Sequence, residues 1–249
     1  MSKTKRRLSA NAPLREPLTR DRIVEAALHV MDQEGLDAVS MRRVARDVGV
    51  EAMSLYHHVR DKEDLLDGIC ARVMCEFRYP DEDRPWIEVA RDGAREWRRV
   101  LRAHPNVIAL WAERQRPMTD LESLMPMEFA LRAITGAGMD IRTGVLVFNV
   151  IGGYIMGVVM MEVGAMFSAG TSRGGKTLDL GTAPAERPGE ASASFLPPDR
   201  LPCIVAALPH LAECDPDEQF EFGLDLLLAG IQARVEAPAS RSPAQRRPS

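Results

Sequence analysis

The sequence predicts an all-α fold: an N-terminal three-helix domain built around a helix-turn-helix, then a C-terminal helical domain suited to ligand binding and dimerisation. Three observations lead there. Met41, Val44, Ala45 and Val48 recur at helical spacing, and after a lone Gly49 the apolar positions resume at Val50, Leu55 and Val59. From Trp86 onward one amphipathic run follows another, with prolines and glycines at the breaks. Thr143 to Met161 then carries no charge across nineteen residues, as in a helix with apolar surface on every side.

At 249 residues, 45% of them hydrophobic, the chain holds one large or two modest domains with an ample core. Its formal charge of -4 does not suggest a nucleic-acid binder, but the distribution does. Lys3, Lys5, Arg6, Arg7, Arg15, Arg20 and Arg22 outnumber Glu16 and Asp21 at the amino terminus, so basicity is concentrated beside the hairpin. Cys70, Cys75, Cys203 and Cys214 form no Cys-x-x-Cys, and the histidines have no metal-ligand spacing, so reduced thiols and no metal or cofactor are expected. The charged amino terminus is no signal peptide, and a cytoplasmic protein is expected. Paired carboxylates, a nucleophile with its base and a phosphate loop are all missing, which argues against an enzyme.

Taken in order, residues 1–17, interrupted by Pro13 and Pro17, read as a disordered basic arm. Thr19 caps a first helix whose stripe is Ile23, Ala26, Ala27, Val30 and Met31, and Gly35 ends it. Ser40 caps the second, and Gly49 closes it with the left-handed conformation that only glycine adopts cheaply. The third offers Ala52, Met53, Ser54, Tyr56 and His57, a small, aromatic and hydrogen-bonding face with Glu51 as its one nearby acid. Such a face enters a major groove without repelling phosphate. Asp61, with Asp64 three residues on, starts a longer helix striped by Leu65, Leu66, Ile69, Val73 and Phe77.

Tyr79 to Pro85 is a polar, proline-flanked joint, so the domains are placed at 18–78 and 85–236. Helices follow over Trp86 to Ala103, Asn106 to Arg116 and Leu121 to Thr135, gathering Trp97, Trp111, Met118, Leu124, Met125, Met127 and Phe129. Such a cluster is as a rule plain core; a pocket is favoured because soft and aromatic side chains line adaptable cavities. The 143–161 segment is long enough to cross a bilayer, though its interior position and four glycines favour burial in a bundle. Gly153 and Gly157 suit close approach of another backbone.

Residues 168–200 are breaker-rich and read as a mobile loop, and Leu201 to Glu213 as a short helical piece interrupted by Pro209. Asp215, Pro216 and Glu218 start a last helix striped by Phe220, Leu224, Leu227, Leu228, Ile231 and Val235. Burying six such side chains contributes on the order of 10 to 18 kcal/mol before chain entropy is counted. With Leu226 and the glycine-bearing helix, that is more apolar surface than one small domain needs, which suggests a four-helix seam between two copies. Residues 237–249 read as a disordered tail.

Leu18 to Ile69 resembles the DNA-binding domain of the tetracycline-repressor (TetR) family. The marks are Ala26-Ala27 before Glu34-Gly35, Val44-Ala45 before Gly49-Val50, Ser54-Leu55-Tyr56-His57-His58-Val59, and Lys62 ahead of Leu65-Leu66. The later half is similar to the ligand-binding domain of the tetracycline repressors, through Trp97 to His104, Gly152-Gly153-Tyr154 and Phe220 to Gly230. The resemblance implies a homodimeric repressor released from a palindromic double-stranded operator by a small-molecule effector. It implies DNA-facing positions at Arg42, Ala52, Met53, Ser54, Tyr56, His57 and His58, with Lys62 on phosphate.

An effector pocket is expected around Trp97, Trp111, Arg114, Met118, Phe129, Phe148 and Ile151. Trp111 stands where the drug-binding relatives place a magnesium-coordinating histidine, and Gly93 and Arg114 where they place an asparagine and a threonine. Those departures count against tetracycline with magnesium. Ala52 and Met53 replace a base-reading glutamine and a proline, so a different operator is expected. The rival readings are a membrane-associated sensor using the 143–161 helix and a helical enzyme with an incidental hairpin.

Overall fold

The computed structural model describes residues 17–113, 121–164, 197, 199–213 and 215–236. Arg114, Met118, the arm up to residue 16, residues 165–196 and the tail lie outside the described residues. Among the described residues every regular element is a helix. Among the described residues, the chain up to Arg72 forms one compact unit, and from Val73 a second.

In the first unit, α1 (Arg20–Glu34) is capped by Thr19, whose hydroxyl accepts from the Arg22 N–H at 3.2 Å. A short 3-10 turn (Leu36–Ala38) leads to α2 (Met41–Val48), capped by the Ser40 hydroxyl on the Arg43 N–H. Gly49 follows at φ 74°, ψ 37°. Its N–H bonds Arg46 C=O, and the Val50 N–H bonds Ala45 C=O at 3.0 Å. Both are Schellman bonds, satisfying carbonyls that a helix end leaves open and turning the chain sharply.

The third helix, α3 (Ala52–Leu55), is shorter than its apolar stripe predicts. Beyond it the backbone tightens: Tyr56 N–H bonds Met53 C=O, and the N–H groups of His58 and Val59 both bond Leu55 C=O. Leu55 and Val59 are both buried in the core with Ile23, Ala27, Val44, Leu65 and Ile69. The next helix, α4 (Lys62–Met74), begins only three residues beyond Val59, so a tight turn has to seat both anchors.

The second unit contains α5 (Trp86–Ala103), α6 (Asn106–Glu113), α7 (Leu121–Gly136), α8 (Ile141–Glu162), α9 (Pro202–Ala212) and α10 (Pro216–Glu236). Helices α5, α7 and α8 pack on one another, and α10 packs on α5 and α8. Pro209, expected to interrupt α9, sits inside it, and its carbonyl still accepts from the Glu213 N–H. The carboxylate of Asp215 accepts from the Asp217 N–H at 3.0 Å at the start of α10. Of the α10 stripe, Phe220, Leu224 and Leu228 are buried while Leu227, Ile231 and Val235 are half-buried.

Helix α8, expected to be buried all round, is buried on one face only. Val147, Ile155, Val158 and Val159 face inward, whereas Ile141, Leu146, Val150 and Met161 are exposed. By length and composition it is also apolar enough to cross a membrane. Tyr154 ties it to α10, its hydroxyl donating to the carbonyls of Gln219 (3.2 Å) and Phe220 (2.8 Å). That ring lies so close to α10 that a Cβ on Gly223 would collide with the phenol, so glycine lets the tyrosine keep its place.

Charge pairs run between α5 and α10 in antiparallel order: Arg91 with Asp225, Arg95 with Glu221 at 2.8 Å, Arg98 with Asp217 at 2.7 Å. Arg98 is the buried member. It also pairs with Glu162 at the end of α8, donates to Pro216 C=O at 3.1 Å and lies 4.5 Å over the Phe220 ring.

Candidate nucleic-acid interface and effector cavity

Helix α3 and the turn after it owe their orientation to Leu55, at 0% exposure, and Val59, at 1%. With those two side chains fixed inward, Met53, Tyr56, His57 and His58 point out to solvent, while Ala52 and Ser54 are half-buried. Met53 is 71% exposed and Tyr56 47%. Arg42 on α2 and Lys62 at the start of α4 are exposed as well. Every residue assigned to DNA from the sequence therefore lies on the hairpin or at the start of α4, with at least part of its surface accessible.

Neighbouring arginines differ in what they can do. Arg43 is committed to the fold, bonded through Nε to Glu34 at 3.0 Å and paired with Asp47 at 3.3 Å. The Glu34 carboxyl is held below its ordinary range, first by the hydrogen bond from Arg43. Arg42 has no ion pair among the described residues, which leaves its charge available for phosphate or a guanine edge.

A clamp that the sequence did not reveal fixes the start of α4. Asp61 accepts from the Asp64 N–H at 2.8 Å, and Asp64 accepts from the Arg60 N–H at 2.8 Å, so the expected capping box reaches one residue further back. The same carboxylate takes both terminal nitrogens of Arg20 on α1, at 3.1 and 2.9 Å. Its pKa is lowered chiefly by that arginine, against the pull of burial. Arginine and acid are 44 residues apart, and no local pattern links them.

In the second unit a cavity of about 70 Å³ lies between α5, α7, α8 and the residues ending α4. Trp97, Phe129, Phe148 and Ile151 line it, as expected from the sequence, joined by Met74, Phe77, Val89 and Met127. Trp111 stands behind this wall, 5.8 Å from Trp97 between ring centroids, with its buried Nε1–H unpartnered among the described residues. Phe77 meets Trp97 edge-on at 5.6 Å, an arrangement that aromatic rings favour.

Small residues, Ala90, Gly93 and Ala94 on α5 with Ala130 and Ala133 on α7, open the space. Their spacing of three and four was a signal that sequence reading passed over. An engineered cavity of about 150 Å³ holds benzene, so a larger effector has to displace side chains, and Met74 and Met127 are soft enough to move. No group of three or more histidine, cysteine or acidic side chains is placed for a metal among the described residues.

Comparison with known proteins adds identity to this geometry. The model for bacterial regulatory proteins of the tetR family matches residues 23–69, and that for the tetracyclin repressor-like C-terminal domain matches residues 79–235. The transcriptional repressor DrrR1 of Streptomyces coeruleorubidus is 31% identical over 220 residues, covering 88% of this chain and 78% of its own. The class D tetracycline repressor of Escherichia coli is 24% identical over 224 residues, covering 88% and 92%. Among solved structures, the TetR family protein ActR of Streptomyces coelicolor in complex with actinorhodin superposes with a TM-score of 0.68 at 27% identity, covering 89% of this chain and 100% of that one. Its complex with (S)-DNPA gives the same score. The chain belongs to the tetR family of bacterial regulatory proteins and is a DNA-binding transcriptional regulator.

Proposed function

We propose that the chain acts in the cytoplasm as a homodimeric repressor, seated on a palindromic operator and released when a small molecule enters the cavity beside Trp97 and Phe129. The observation that carries this reading is the hairpin: Leu55 and Val59 hold a segment whose outward side chains, Met53, Tyr56 and His57, accompany an exposed Arg42 with no ion pair among the described residues. Two such segments about 34 Å apart fit successive major grooves. The exposed apolar faces of α8, through Leu146 and Val150, and of α10, through Phe222 and Leu226, supply the surface for the second copy. Relatives named as repressors, and ActR solved with small molecules, support repression and ligand release.

Helix α4 is the proposed connection. It starts at Lys62, directly after the recognition segment, and ends at Met74, which lines the cavity. An effector that displaces Met74 shifts the helix end, and a coupling of roughly 1 to 3 kcal/mol changes operator occupancy several-fold to about a hundredfold. The test is binding of the full chain to the promoter region beside its own gene across a salt series. Specific affinity should fall steeply with salt, and Tyr56→Ala should weaken the specific complex far more than the nonspecific one. Equal affinity for random DNA would refute operator recognition. The open face of α8 equally suits a membrane-associated sensor; purification without detergent as a species of twice the chain mass separates the two.

A further inference from the structure

We propose that Met53 reads thymine methyl groups, so that each operator half-site contains one thymine whose C5-methyl is required. The proposal rests on the DNA-reading assignment of the hairpin and deepens it.

Among the described residues of the first unit, Met53 has the most exposed large apolar side chain, at 71%, and it stands on the one face assigned to the duplex. An isolated exposed methionine is unremarkable on a protein surface. Here its position gives it meaning, because Leu55 directly behind it is at 0% exposure and holds the segment in one orientation. Ala52 beside it is half-buried and has no hydrogen-bonding group on its side chain. The charges that bring phosphate to this face, Arg42 and Lys62, are exposed on α2 and at the start of α4.

A thioether offers no donor and only a weak acceptor. At this position a base pair therefore cannot be chosen by complementary hydrogen bonds. The thymine methyl is the apolar group on a major-groove edge, and apolar side chains pair with it. A guanine or cytosine in its place would bury a donor or acceptor against the thioether and leave it unpaired. The unbranched chain of methionine can follow the methyl as the helix settles.

The experiment begins by enriching a binding site from random duplexes with the full-length protein, then replaces each thymine of that site by deoxyuridine in turn. One thymine per half-site should show about a fourfold loss of affinity when its methyl is removed, the equivalent of about 0.8 kcal/mol. Met53→Ala should bind the thymine and uracil duplexes alike, and Met53→Gln should shift that position toward adenine. Indifference of the native protein to every uracil replacement, or a methyl dependence unchanged in Met53→Ala, overturns the proposal while leaving operator binding intact. Failure to enrich any sequence overturns the operator reading and this inference with it.

Discussion

Two residues of the first unit hold the proposed reading head without belonging to it. Gly49 adopts a left-handed conformation with open space where a Cβ would project, so a substitution there costs backbone energy and no steric clash. Gly49→Ala should destabilise the unit by about 1 to 2 kcal/mol, measured as a lower denaturant midpoint with an unchanged slope. Asp64 acts through charge. Its carboxyl is held below the ordinary range, chiefly by the Arg20 hydrogen bond. A depressed acid contributes fully above its unfolded value and loses that contribution as pH falls through the folded value. Stability of this unit should therefore decline below about pH 4, and Asp64→Asn should flatten that decline while costing roughly 1 to 3 kcal/mol at neutral pH. Thermal melts of both proteins between pH 7 and pH 3 check the sign. Gly49, Thr19 and Ser40 were legible in the sequence because caps are local chemistry. The Arg20 to Asp64 pair was not, because its partners meet only after α1 and α4 have packed.

Helices were legible wherever an apolar stripe met a cap or a breaker, as at α5, α7 and α10. What periodicity could not settle is how much of a stripe is covered. The charge-free run of α8 predicted burial on all sides, yet α5, α7 and α10 pack on one face of it, and the other is exposed among the described residues. The junction of α5, α8 and α10 was equally hidden, since Arg98 looks in sequence like one more charge on an exposed face. In the fold it is buried with Glu162, whose side chain is 9% exposed. Arg98→Ala leaves that carboxylate with only Arg102, 3.4 Å away and half exposed, and should destabilise the second unit by roughly 2 to 4 kcal/mol. Loss of a surface arginine costs at most about 1 kcal/mol, so chemical denaturation distinguishes a junction from a solvated face. The cavity was half legible: aromatic residues announced it, and the alanines and glycine that create its space did not.

At the scale of the whole molecule, the proposed dimer needs a seam, and the exposed apolar faces of α8 and α10 offer the surface for one. Phe222 is 67% exposed and Leu226 62%, a surface that a lone chain would hold against water. Leu226→Glu should shift sedimentation toward the single-chain mass. Affinity for a two-half-site duplex should fall with it, while affinity for an isolated half-site is retained. A dimer unaffected by Leu226→Glu and by Val150→Glu would mean that these faces are not the seam. Tyr154 and Gly223 set a different kind of limit, one on the sequences that descend from this one. With the phenol lying on the backbone of α10, neither position can drift alone: a larger residue at 223 collides before the tyrosine has gone, and loss of the tyrosine first empties the contact between two helices. Lineages that respace α8 and α10 have to cross that valley in a paired step, and libraries of single substitutions should find both sites intolerant where the double change Tyr154→Leu with Gly223→Ala survives.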